Sequence, residues 1–239
     1  MKNRSLPRRI AQYVAGLVCM AIGLTLLKRT VWGVSPITAL PDAVTNIFLG
    51  TRWESLLSLG NTTIALHFLC VCGQVLVQKR VTLKSVLCLC VGIPFGKLVD
   101  LFLALWHPTL CLWQKLLALV LGIAIQGFGV ALISGCDLML PAPDELNNVI
   151  SRVTGKKLSV IKRVADGIYV LLALLVNLGT WLLAPEKLVL SVGISSVASV
   201  LGTGYFVGLT FRLLPGARMD PFFTASAPAP HPAQDPSDE

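Results

Sequence analysis

Residues Leu188–Phe211 read LVLSVGISSVASVLGTGYFVGLTF, a run without a single Asp, Glu, Lys or Arg. At 1.5 Å of rise per helical residue, such a run covers the ~30 Å hydrocarbon layer of a bilayer. Lipid offers no partner to backbone N–H and C=O groups, so the run has to satisfy them internally, as a helix. Outward from it lie five further apolar stretches of similar length: Ile10–Leu27, Leu56–Val77, Ser85–Trp106, Leu116–Gly135 and Val164–Leu183. The expected fold is all-α, a polytopic bundle of six transmembrane helices.

The whole composition agrees. Of 239 residues, 54% are hydrophobic and 13% charged, a balance that a water-exposed surface of this size does not carry. The formal net charge of +8 falls in short clusters between apolar runs, not along one polar face, which speaks against nucleic acid and for a topology signal. With the N-terminus inside, Lys2, Arg4, Arg8, Arg9, Lys79, Arg80, Lys84, Arg152, Lys156, Lys157, Lys162, Arg163, Arg212 and Arg218 lie on the cytoplasmic side. Lys28, Arg29, Arg52, Lys115 and Lys187 lie outside. By the positive-inside rule both termini are then expected to face the cytoplasm. The first span follows a basic stretch as a signal peptide would, but no clear cleavage site follows it, and Arg8-Arg9 serves as a positive anchor. The seven cysteines lie in or beside apolar runs, which argues against a secreted disulfide framework.

The chain also matches itself. A shift of about 105 residues brings Gly16 onto Gly122, Gly23 onto Gly129, Gly50 onto Gly155 and, with a small gap, Asn61 onto Asp166. Residues 10–106 form a first three-helix repeat and 116–213 a second. Residues 1–9 make a cytoplasmic N-terminus, 107–115 a connecting loop, and 214–239 a Pro/Ala-rich cytoplasmic tail expected to be disordered. In each repeat the first span runs into a proline-rich loop, Gly33-Val34-Ser35-Pro36 or Leu140-Pro141-Ala142-Pro143-Asp144. A short helix follows, Ala39–Phe48 or Asp144–Val153. Three spans is an odd number, so the second repeat is expected upside down relative to the first. Inverted repeats with Gly- or Pro-broken segments at matching positions recur in secondary transporters.

The run Lys28-Arg29-Thr30-Val31-Trp32-Gly33-Val34-Ser35-Pro36 resembles a stretch of the bacterial YczE/YyaS/YitT membrane proteins. Gly50-Thr51-Arg52-Trp53 with Asn61 and Gln74, then Phe95-Gly96-Lys97-Leu98-Val99-Asp100, then Val153-Thr154-Gly155-Lys156-Lys157 with Lys162 and Asp166 are similar to that family in order and spacing. Met139 and Thr38 depart from its pattern. The resemblance spans roughly Tyr13 to Phe211 and implies a small polytopic protein of the cytoplasmic membrane. It implies no substrate.

Polar side chains at membrane depth are costly unless they face the bundle interior, so Asn61, His67, Gln74, Gln126, Asp166 and Asn177 are candidates for a substrate path. His67 and Gln74, seven residues apart, share one face; a single interior histidine either titrates in a wet cavity or packs with a hydrogen bond to its surroundings. Asp166 leads the set because it matches Asn61 across the duplication, at related depths on helices expected to meet near the two-fold axis. Lys97 with Asp100, three apart, and Lys162 with Asp166, four apart, are spaced to form ion pairs. Proline frees backbone groups near it, so Ser35, Pro36, Pro141 and Asp144 at the two short helices are loop candidates for holding a ligand. Ser191, Ser195, Ser199 and Thr203 recur every four residues, as close helix packing or a polar stripe requires. Cys70 with Cys72 and Cys88 with Cys90 are i, i+2 pairs on helices, which point apart, so no metal site is expected.

No zinc-protease, nucleophile-elbow, phosphate-loop or dinucleotide motif is present. The expected function is a small-solute permease without cofactor or catalytic residues, embedded in lipid. The alternative is a non-transporting subunit or accessory factor acting with a partner protein; the expected protein partner is a second copy of the chain, as a homodimer, or a partner membrane protein.

Overall fold

The computed structural model describes residues 6–107, 109–136, 138–183, 185 and 188–213. The expected tail at 214–239 and the first residues lie outside the described ones. Within them are eight helices and no strand: α1 (Leu6–Thr30), α2 (Pro36–Ile47), α3 (Leu59–Gln78), α4 (Leu83–Leu105), α5 (Leu112–Ser134), α6 (Ala142–Thr154), α7 (Leu158–Leu183) and α8 (Ile194–Leu213). Six of them, all but α2 and α6, are long and apolar enough to cross a membrane.

Several boundaries differ from those expected, each for a local reason. The charge-free run at Leu188–Phe211 becomes helical only at Ile194. Its first residues are drawn into the α1–α2 loop instead: Val34 N–H donates to Ser191 O at 3.1 Å and Ser195 N–H to Trp32 O at 3.0 Å. Helix α3 starts at Leu59 rather than Leu56 because Ser58 caps it, accepting from Asn61 N–H at 3.2 Å. Helix α7 starts a turn and a half before Val164, carrying Lys162 and Arg163 on its own early turns. The two short helices begin on their prolines, at Pro36 and just after Pro141, because a ring that lacks N–H and fixes φ suits a first helical turn. Gly50 and Gly155 follow those helices at φ +71° and +67°, the left-handed conformation that glycine adopts without strain.

Helices α1 and α5 cross antiparallel at the centre through glycine. A Cβ on Gly16 would meet Gly129 O at 2.9 Å, and one on Gly23 would meet Gly122 O at 2.7 Å. Backbones approach this closely only where side chains are missing, which gains dispersion contacts that lipid cannot supply. Buried Tyr13, Leu17, Ala21 and Leu24 of α1 and Ile133 of α5 fill the core alongside this crossing. Helices α3 and α4 form an antiparallel hairpin sealed where Gly60 meets Gly96. Helix α8 lies parallel to α5, with Gly127 against Thr203 and Phe206, and Gly202 against Ile123. The short helices do not lie on the surface: α2 packs against α7 and α3, and α6 against α3 and α7. Asp42, Asn46, Glu145 and Asn147, all on these two helices, are 2–5% exposed.

Candidate functional site: two polar cavities

Two cavities open toward opposite ends of the bundle. The larger, about 690 Å³, lies where α1 and α4 end and α3 and α8 begin; its walls include Lys28, Arg29, Asp42, Asn46, Asn61, Lys97 and Asp100. The smaller, about 70 Å³, lies where α4 and α7 begin and α5 ends; Lys84, Asp144, Glu145, Asn147 and Lys162 line it. Each is bordered by one of the short buried helices, α2 or α6.

On α2, Asp42 is the most deeply buried acid of the larger cavity, and Lys28 at the end of α1 reaches it at 2.5 Å. Lys28 also donates to Asn46 Oδ1 at 2.8 Å. Asn46 Nδ2 in turn donates to Asp42 at 3.1 Å and to Ser191 Oγ at 3.0 Å. A cation, an anion and an amide thereby satisfy one another across α1, α2 and the α8 approach, which is what makes a buried carboxylate tolerable. Asp42, Lys28 and Glu145 fall outside the candidates expected from the sequence; the signal for the first is an acid six residues after Pro36 in a proline-led amphipathic segment.

Neither expected intrahelical ion pair forms. Lys97 donates to Asn61 Oδ1 at 2.7 Å, and Asp100 accepts from Ser58 Oγ and Gly60 N–H, both at 2.7 Å. The first turn of α3 offers an N–H without a helical acceptor and the Ser58 hydroxyl, donors that suit a carboxylate better than a flexible lysine on the same helix does. Lys162 pairs with Asp144 on α6 at 2.7 Å instead of with Asp166 one turn along α7, and Asp166 Oδ1 is buried without a hydrogen-bond partner. Asn61 and Asp166 do not meet: Asn61 is at the mouth of the larger cavity, and Asp166 lies in the half of α7 near the smaller one. Asn61 stands in the first turn of α3 and Asp166 in the early turns of α7, and those two helix starts lie at opposite ends of the bundle.

The two glutamines hold the short helices. Gln74 Nε2 donates to Ala142 O, the first residue of α6, at 2.9 Å, and Gln126 Nε2 lies 3.5 Å from Ser35 Oγ, just ahead of Pro36 and α2. Both leave their amide oxygen buried and unpartnered. Asn177 is buried in the last third of α7 with its Nδ2 unpartnered, and the buried Asn147 of α6 also has an unpartnered Nδ2. His67 and Gln74 share the buried face of α3 as their spacing requires. His67, however, packs in full: Nδ1 is 2.8 Å from Thr63 O and the ring lies 5.9 Å from that of Phe95, with Gly92 against it. It lines neither cavity. Of the cysteine pairs, Cys70 and Cys88 are buried while Cys72 and Cys90 are exposed, as i, i+2 spacing demands. Among the described residues no three His, Cys, Asp or Glu side chains converge on a metal-sized point. Of the polar stripe, Ser191 Oγ accepts from Asn46 and Ser195 Oγ is 3.3 Å from Thr30 Oγ1, while Ser196, beside the stripe, donates to Val34 O at 2.6 Å.

A family model described as a family of unknown function, DUF6198, matches residues 7–212, all of the helical bundle. The chain belongs to the DUF6198 family. No curated protein and no solved structure matches it. Membership in DUF6198 covers both cavities and both short helices, so the polar architecture around α2 and α6 lies within the segment that defines the family.

Proposed function

We propose that this DUF6198 protein is a small-solute permease whose path runs between two inverted three-helix repeats. The observation that carries the proposal is the pair of polar cavities at opposite ends of one membrane-length bundle, wide at one end and narrow at the other, each bordered by a proline-led helix buried within the bundle. Irregular backbone and charge at membrane depth are tolerated where they line a solute path or are buried in protein.

Reciprocal packing supports the inverted relation. Under the sequence shift Gly16 corresponds to Gly122 and Gly23 to Gly129; Gly16 packs on Gly129 and Gly23 on Gly122, as a two-fold axis between the halves requires. Helix α2 packs on α7 as α6 packs on α3. Ser196 near the start of α8 holds the first loop through Val34 O, and Cys88 near the start of α4 holds the second through Leu140 O at 3.3 Å. The YczE/YyaS/YitT resemblance supports a bacterial cytoplasmic membrane as its location, and the charge bias supports both termini inside. No covalent chemistry is part of this function.

Flux of a panel of small solutes into proteoliposomes tests it. Uptake above empty vesicles that D42N abolishes is the expected result; no flux from monodisperse protein refutes the permease. A second reading, an accessory subunit, rests on α7. Helices α3 and α4 form a hairpin, whereas α7 and α8 touch at most glancingly, leaving most of α7 uncovered by the chain itself. Co-purification of a stoichiometric membrane partner that covers α7 favours that reading.

A further inference from the structure

The larger cavity is lined by as many carboxylates as fixed cations, yet its charges are not equivalent. Each acid is already satisfied by the protein. Asp42 holds Lys28 and Asn46, Asp100 takes the Ser58 hydroxyl and the Gly60 N–H, and Glu54 takes the Gly50 N–H at 2.9 Å. Among the cations only Lys28 faces a carboxylate. Arg29 gives one guanidinium N–H to the Leu103 carbonyl, while its Nε is buried with no partner. Lys97 gives one of its three hydrogens to the neutral amide oxygen of Asn61. Among the described residues, neither Arg29 nor Lys97 forms an ion pair, and both stand on the cavity wall with donors to spare.

Two cations without counter-charges, in a cavity whose walls are otherwise apolar or self-satisfied, leave a local excess of positive potential and of hydrogen-bond donors. The buried Nε is closed off from the cavity, so Arg29 offers a ligand its remaining terminal N–H groups and Lys97 its remaining two hydrogens. An oxyanion meets both needs, whereas a neutral sugar supplies no charge and a cation is repelled.

We propose that Arg29 and Lys97 form an oxyanion-recognition pair that takes a carboxylate or phosphate group in the larger cavity. The inference deepens the permease proposal and rests on it for the claim that the anion is cargo; the site itself stands on the charge arrangement alone. The same chemistry is offered by a free metabolite-sized anion and by a lipid headgroup phosphate.

The test uses the full chain in nanodiscs of phosphatidylcholine and, separately, of phosphatidylglycerol, with inorganic phosphate and succinate as probes and glucose and choline as controls. In phosphatidylcholine, phosphate or succinate is expected to raise the unfolding temperature, with at least tenfold weaker binding in R29Q and in K97Q and near-normal binding in K97R. Stabilisation that appears only in phosphatidylglycerol, and is lost in the same two variants, also supports the site and assigns its anion to the lipid. Glutamine variants that respond like the parent, or a parent that responds to glucose as well as to the anions, overturn it. Anion binding without flux refutes only the permease; flux of a neutral solute with no anion binding refutes only the oxyanion site.

Discussion

Lys162 of α7 is bonded to Asp144 of α6, nitrogen to oxygen 2.7 Å, and not to Asp166 on its own helix. The contact ties the first turns of a membrane-length helix to those of a short one beside the smaller cavity. Lys162 is 43% exposed, so solvent screens the pair, and a double-mutant cycle of K162M with D144N in detergent should give a coupling of about 1 kcal/mol or less. The same cycle with D166N should give a smaller coupling, because Asp166 acts on Lys162 through space without a direct contact. Coupling to Asp166 that exceeds coupling to Asp144 would contradict this geometry.

The Lys28–Asp42 pair is of another kind, because Asp42 is 2% exposed. Removing the cation alone leaves a carboxylate stranded at depth, so K28M is expected to destabilise by about 3 kcal/mol, in the range for breaking a buried pair. The double variant K28M/D42N should recover much of that loss, read as midpoints of thermal unfolding in a fixed detergent. Equal destabilisation in the single and double variants would show that the pair carries no such coupling.

The glycine crossing yields a prediction about symmetry. A side chain on Gly23 would collide with Gly122 O and Gln126, and one on Gly129 with Gly16 O and Met20. G23L and G129L, at positions matched by the duplication, should each cost about 1–3 kcal/mol, as overpacking does. Leucine at Gly167 or Gly179, where a Cβ meets nothing within 4 Å, should cost under about 1 kcal/mol. A tolerant Gly129 beside an intolerant Gly23 would break the expected equivalence.

Much of this architecture is legible in the sequence, for identifiable reasons. Six apolar runs come near the length that crosses the hydrocarbon layer, and no competing structure satisfies their backbones in lipid. Pro36, Pro141, Gly50 and Gly155 mark the short helices because those residue types have few other uses at helix ends. The start of α8 is not legible: Leu188–Gly193 is as apolar as the helix after it, and only pairing with Trp32 and Val34, far away in sequence, decides its conformation. The ion pairs fail for the same reason. Spacing along one helix shows which partners are near, but Lys97 and Lys162 each find a better acceptor on another element. Asp42 and Glu145 escape notice because a short amphipathic segment carrying an acid looks interfacial until its neighbours bury it.

The short helices are held by amides from the opposite half, and this too can be measured. Gln74 is wholly buried and donates to the first residue of α6. Q74L should leave the Ala142 carbonyl without that donor and lower stability by about 1–2 kcal/mol, as losing a buried hydrogen bond does. Faster hydrogen exchange confined to α6 would locate the effect; an unchanged α6 would contradict it.

The most direct test of the central claim, that two halves face opposite leaflets with a cavity opening at each end, is side-specific labelling of matched positions. Arg52→Cys follows α2 and Lys156→Cys follows α6, both on exposed residues, in a protein whose exposed Cys72, Cys90 and Cys111 are replaced by serine. A membrane-impermeant maleimide added to intact cells should modify Arg52→Cys and spare Lys156→Cys, with the reverse in inside-out vesicles. Modification of both from the same side would contradict the account.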